Sequence, residues 1–236
     1  MILDRSRWSA GLAVVLAVAG TAAVMYALGV LPEPWTRGYV SEGGVASSPR
    51  DGIYRAGIVA LAGSLALLGV ALRRLVPYVF TMLVTASVFG AVSSAVSCTP
   101  GCPLPPYEPS TAPDLVHAGA SVFAVGLAVL AMGAVALISL QPVLRRTARV
   151  FFGVTLPLVL LLVFGLLAIG RGLFTSVLER VALAPVVLWV VATGVLLCRG
   201  PFTVASPATQ IAERPKTVSG VARANGRDAA DRATAG

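Results

Sequence analysis

Six stretches of the chain stay apolar for about twenty residues or more with scarcely a charge among them: Trp8–Val30, Pro49–Leu72, Leu75–Val96, Asp114–Leu140, Val150–Ile169 and Leu178–Leu197. A helix needs about 20 apolar residues to cross the roughly 30 Å hydrocarbon core of a bilayer. Ordinary buried helices are shorter and carry a polar face. The pattern predicts an all-α integral membrane bundle of six transmembrane helices. No segment alternates polar and apolar residues with period two, which argues against a transmembrane β-barrel. Arg5 and Arg7 ahead of the first run, and the small residues Ala19-Gly20-Thr21-Ala22 within it, resemble a cleavable signal. The run is longer than a signal core, so it is read as a retained span.

The polar residues lie in the links. If the N-terminus is cytoplasmic, Arg5, Arg7, Arg73, Arg74, Arg145, Arg146, Arg149, Arg199, Arg214, Lys216, Arg223, Arg227 and Arg232 are all inside. That is 13 of 18 basic residues, leaving Arg37, Arg50, Arg55, Arg171 and Arg180 outside. Basic residues in short loops orient spans with those loops inward. The expected topology is N-in/C-in, with the plasma (inner) membrane as the location. The charge of +8 therefore reports threading and not a nucleic-acid surface. Residues 1–200 are expected to form the membrane domain. Residues 201–236 lose the apolar period and gain Ala, Thr, Arg and Asp, as in a disordered cytoplasmic tail.

Composition sharpens the class. The chain is 57% hydrophobic and 12% charged, against roughly 25% charge in a soluble domain. A single Lys among the 18 basic residues points to a GC-rich bacterial genome. Membrane lipids are the expected partners, and a homo-oligomer or a membrane-protein partner is compatible with such spans. Pro77, Pro157 and Pro185 are expected to kink their helices. Gly126 and Gly133 are expected to form a close-packing seam.

The outer ends of the second, fourth and sixth spans carry the candidate chemistry. Ser48-Pro49-Arg50-Asp51 and Thr111-Ala112-Pro113-Asp114 read as a cap hydroxyl followed by an acid at the third helical position. Ser176-Val177-Leu178-Glu179 repeats the device without proline. Capping alone accounts for Asp51, Asp114 and Glu179. Their neighbours add a second reading: Arg55 lies one turn below Asp51, and Arg180 adjoins Glu179. An arginine at that depth pairs, snorkels or faces a polar cavity. Arg55, Arg180, Asp51 and Ser121 are the candidate ligand-binding residues.

Asp114, His117 and Ser121 fall on one stripe of the fourth helix at i, i+3 and i+7. Ser93, Ser94 and Ser97 are positioned to line the same space. His117, Asp114 and Glu179 are the candidate acid–base residues. A serine triad is a poor fit, because the base must reach nucleophile and acid at once and these three are stacked along one helix. A catalytic zinc commonly takes three protein ligands, mostly histidine, and His117 stands alone. Phosphate-binding loops, dinucleotide fingerprints and haem motifs are absent, so no cofactor or metal is expected. Cys98 and Cys102 bracket Thr99-Pro100-Gly101 in an outer loop, where a Pro-Gly turn brings the sulfurs together. A small disulfide is the leading reading, with a metal site, a redox pair and free thiols as alternatives. Cys198 is expected to be inert.

Ser97-Cys98-Thr99-Pro100-Gly101-Cys102-Pro103, followed by Thr111 to Ala124 with His117, resembles the DUF998 family of bacterial and archaeal multi-pass membrane proteins. The resemblance covers about residues 8–200 and implies a six-span bundle, with His117 as the family position. A Cys-bracketed Thr-Pro-Gly stands where the family more usually has an acid. No activity comes with the resemblance. Three functions remain in order: an outer-face binder of a lipid head group or small anion, an enzyme acting on lipid-linked substrates through His117 and outer carboxylates, and a transporter. The transporter ranks last because no charge lies near mid-span and no repeat relates the two halves.

Overall fold

The computed structural model describes residues 2–29 and 38–200. Arg37 and the expected tail at 201–236 lie outside them. Six long helices make up almost all of the described chain: α1 (Ile2–Leu28), α2 (Asp51–Leu72), α3 (Pro77–Ala95), α4 (Ala112–Ile138), α5 (Pro142–Ala168) and α6 (Leu173–Arg199). A single 3-10 turn, Val40–Gly44, precedes α2. All six helices are long and apolar enough to cross a membrane, and the described residues include no strand. The protein is a multi-pass membrane protein.

Each helix packs on its neighbour in sequence, and α6 closes the ring against α1 while also touching α2 and α4. Short links dictate this antiparallel order. α6 is the most enclosed helix within the bundle and α5 the least. The core joins Ala10, Ala13 and Ala17 of α1 to Leu68 and Leu72 of α2, with Met132 and Trp189 from the far side. Small residues allow backbones to approach, which is how helices associate when lipid offers no hydrophobic contrast. A Cβ on Gly20 would stand 2.7 Å from the Gly57 carbonyl oxygen, and one on Gly194 would stand 3.1 Å from that of Ala10.

Several expected details change. Gly133 does meet Phe152, but a Cβ on Gly126 would touch nothing within 4 Å, so the expected Gly126–Gly133 seam is not formed. The close approaches lie on α1, α2 and α6 instead. Pro77 starts α3 at its first position and kinks nothing, because proline there has no hydrogen bond to lose. Pro157 and Pro185 do lie inside α5 and α6. α5 begins at Pro142 and not near Val150, since Arg145, Arg146 and Arg149 are good helix formers and extend the span beyond its apolar part.

The end bearing Cys98 and Cys102 is called the outer end here, and the opposite one the basic end, following the arginine bias.

Candidate functional site at the outer end

Thr111 begins α4 as expected. Its hydroxyl accepts from the Asp114 amide, and its own amide donates to Asp114 Oδ2 at 2.8 Å, the reciprocal pattern of a capping box. The other two expected caps are absent. The amides of Ser48 and Asp51 bond to Val45 O and Ser48 O in successive turns, so Arg50 flanks the helix and Asp51 is its first residue. α6 starts three residues before Ser176, where the Gly172 amide donates to Thr175 Oγ1 at 3.0 Å. Ser176 and Glu179 are thereby helix-interior residues. Glu179 lies about 9 Å down the axis from Leu173 at 1.5 Å rise per residue.

Asp114, His117 and Ser121 face the α3–α4 junction together. The buried Asp114 carboxylate accepts from the amide of Thr99 at 2.7 Å and from its hydroxyl at 3.1 Å, and also from Thr111. His117 Nδ1 lies 2.8 Å from the carbonyl oxygens of both Ser93 and Val96, where α3 ends. Those carbonyls have no partner within their own helix. The ring therefore caps α3 from α4, and as a neutral ring it must carry its proton on Nδ1 to do so. Nε2 is buried without a hydrogen-bond partner. Ser121 Oγ is 2.7 Å from Ser93 Oγ. Ser94 bonds to the Arg55 carbonyl, and Arg55 reaches Ser97 Oγ and the Gly44 carbonyl. Arg55 Nε also pairs with Asp51 at 3.7 Å, as its i,i+4 spacing predicts.

Glu179 and Arg180 belong to a different part of the outer end. Glu179 Oε2 accepts from the Val40 amide at 2.8 Å, and Arg180 donates to the Ser176 carbonyl at 2.8 Å. The segment around the 3-10 turn links these groups to α2: Glu42 accepts from the Tyr39 amide and pairs with Arg171 at 2.5 Å. Tyr39 packs with Val45, Cys98 and Cys102. Burial is the main cause that raises the Tyr39 phenol above its ordinary value of 10.0. Sequence reading missed Glu42, Arg171, Thr99 and Val40. The acid–amide spacing of Tyr39 and Glu42 was a usable local signal, while the other partners are distant in sequence.

Cys98 and Cys102 have Cα atoms 5.1 Å apart with adjacent sulfurs, within the span a disulfide bridges. The Cys102 amide bonds to Thr99 O at 2.9 Å and Gly101 has φ +89°, the tight turn expected of Pro-Gly. Among the described residues, no group of three or more His, Cys, Asp or Glu side chains could hold a metal ion.

A family model described as a protein of unknown function, DUF998, matches residues 11–196, which span the bodies of all six helices. The chain belongs to the DUF998 family. No curated protein and no solved structure matches it. In this DUF998 chain the outer carboxylates and His117 act as cross-links between elements: α3 to α4 through Asp114 and His117, and the 3-10 segment to α6 through Glu179.

Proposed function

We propose that this DUF998 protein is a non-catalytic lipid binder of the plasma (inner) membrane that holds an anionic head group at its outer rim. One observation carries the reading. A shallow apolar groove of about 480 Å³ is lined by Leu173, Phe174, Val177, Leu178 and Val181, and this stretch of α6 is bracketed in sequence by Arg171 and Arg180. Its volume lies within the roughly 300–1,000 Å³ of small-molecule sites. An acyl chain along the groove would bring its phosphate toward the outer end of α6, to which Arg180 reaches back one turn at the Ser176 carbonyl. Arg55 reaches the neighbouring 3-10 segment from α2.

Catalysis by His117 with Asp114 or Glu179 is the weaker reading. His117 Nδ1 and the Asp114 carboxylate already hold the α3–α4 junction, and no described carboxylate bonds to His117. Ser121 and Asp51 are likewise engaged, with Ser93 and Arg55. The same proposal includes an oxidised Cys98–Cys102 pair, because disulfides persist outside the cytoplasm.

The test is thermal unfolding of the purified chain in detergent with added phosphatidylglycerol or phosphatidylcholine. Arg55→Ala and Arg180→Ala should each remove about 2 °C of the rise produced by phosphatidylglycerol alone, from about 1 kcal/mol per arginine. The lipid-dependent rise is the readout, since Arg55→Ala also loses bonds to Gly44 and Ser97. A rise that neither variant changes rules the outer head-group site out.

A further inference from the structure

A second depression, of mixed polar and apolar lining, lies at the opposite end, between the start of α1 and the α2–α3 turn. Arg5, Ser6, Val70, Ala71, Arg73 and Arg74 line it. Its volume of about 20 Å³ fits one water-sized group, such as a phosphoryl oxygen, and no more. The Ser6 hydroxyl, bonded to the Ala71 carbonyl at 3.0 Å, joins its two walls. All three arginines are exposed, and none forms an ion pair with a described carboxylate. The acid nearest in sequence is Asp4; the acids among residues 38–200 (Glu42, Asp51, Glu108, Asp114 and Glu179) are all at the outer end.

Depth is set independently by two aromatic residues. Trp8 and Tyr78 are 72% and 70% exposed, and lie three and four residues beyond Arg5 and Arg74. Trp and Tyr concentrate at the level of the lipid head groups. Three arginines, a one-oxygen recess and apolar walls at that level fit an oxyanion whose remainder continues into hydrocarbon.

We propose that Arg5, Arg73 and Arg74 form a phosphate site for an anionic phospholipid of the cytoplasmic leaflet. The guanidinium forks supply paired donors to the phosphate oxygens. Val70 and Ala71 leave the glycerol and acyl chains beside α2. The site is separate from the outer groove on α6 and does not depend on it.

Native mass spectrometry of the full detergent-purified chain, titrated with dioleoyl phosphatidylglycerol and separately with inorganic phosphate, tests the proposal. Arg5→Gln should weaken phosphatidylglycerol binding about fivefold, and R73Q/R74Q about thirtyfold, at about 1 kcal/mol per arginine. R145Q/R146Q removes the same charge from the same end outside the recess and should change binding by less than about twofold. R73K/R74K preserves the inward charge that orients the spans. It should fold as wild type yet bind more weakly, because lysine lacks the fork. Weakening confined to the lipid titration assigns the site to a phospholipid. Weakening of the phosphate titration alone assigns the oxyanion to a soluble source and overturns the lipid. Equal losses in R73Q/R74Q and R145Q/R146Q would reduce the site to diffuse surface charge and overturn it, as would the absence of any loss.

Discussion

Asp114 gathers four donors, the amides and hydroxyls of Thr99 and Thr111, onto one carboxylate at 1% exposure. Two of them belong to the cysteine loop and two to the cap of α4, so the residue fastens loop to helix. Hydrogen bonds to a charged acceptor contribute about 1.5–3 kcal/mol each, and a buried donor left unpaired costs a similar amount. Asp114→Asn keeps the shape but turns one oxygen into a donor facing donors. It should lower stability by about 2 kcal/mol in denaturant titration of the detergent-solubilised protein. Ser110→Ala, which loses only carbonyl contacts at Pro103 and Glu108, should cost less than about 1 kcal/mol. Equal stabilities for the two variants would mean that the Thr99–Asp114 bonds do not form in the folded protein. His117 acts on the same joint from the other side by capping α3, which explains its position on the Asp114 stripe without chemistry.

Among the elements, the tightest joint is between α1 and α2, where Gly20 and Gly57 face each other backbone to backbone. A Cβ on Gly57 would stand 2.9 Å from the Gly20 carbonyl oxygen. Backbone cannot swing aside as a side chain can, so Gly20→Ala and Gly57→Ala should each destabilise by about 1–3 kcal/mol. Gly126→Ala, with open space around it, should be neutral or slightly stabilising. The same unfolding assay checks all three, and a Gly126→Ala cost matching Gly20→Ala would restore the expected seam on α4. This contrast marks what a single sequence can reveal. Six spans were legible because lipid imposes a length and an apolarity on every one of them. Which glycine meets a backbone was not, since that depends on the register between helices and Gly126 reads no differently from Gly20. The Asp114–His117–Ser121 stripe was legible from 100° spacing within one helix. The Val40–Glu179 and Glu42–Arg171 contacts join residues 139 and 129 positions apart, beyond any local pattern. The start of α6 was misplaced because Ser176-Val177-Leu178-Glu179 has the spacing of a cap, while the true start one turn earlier is marked only by Gly172 and Thr175.

Across the whole molecule, charge is sorted by end. The basic end of the described helices carries Arg5, Arg7, Arg73, Arg74, Arg145, Arg146, Arg149 and Arg199. The outer end mixes Arg50, Arg55, Arg171 and Arg180 with five carboxylates, several of them hydrogen-bonded to loop amides. Basic residues in short loops are retained on the cytoplasmic side, while acids weigh little in orientation. The bundle should therefore thread with its cysteine loop outside and both ends of α1 and α6 that bear arginine inside. Alkaline phosphatase fused within residues 103–110 should be active, and the same enzyme fused just after Arg199 should be inactive. An impermeant maleimide offers a second readout on intact cells. Cys98 and Cys102 should stay unlabelled until a reductant is added, as a disulfide in an oxidising compartment requires. Cys198, at the basic end, should stay unlabelled with or without it. Labelling of Cys98 and Cys102 without reductant would leave the threading intact but remove the disulfide. An active fusion after Arg199 together with an inactive one in the cysteine loop would invert the bundle, and would move the Arg5–Arg73–Arg74 recess to the opposite leaflet with it.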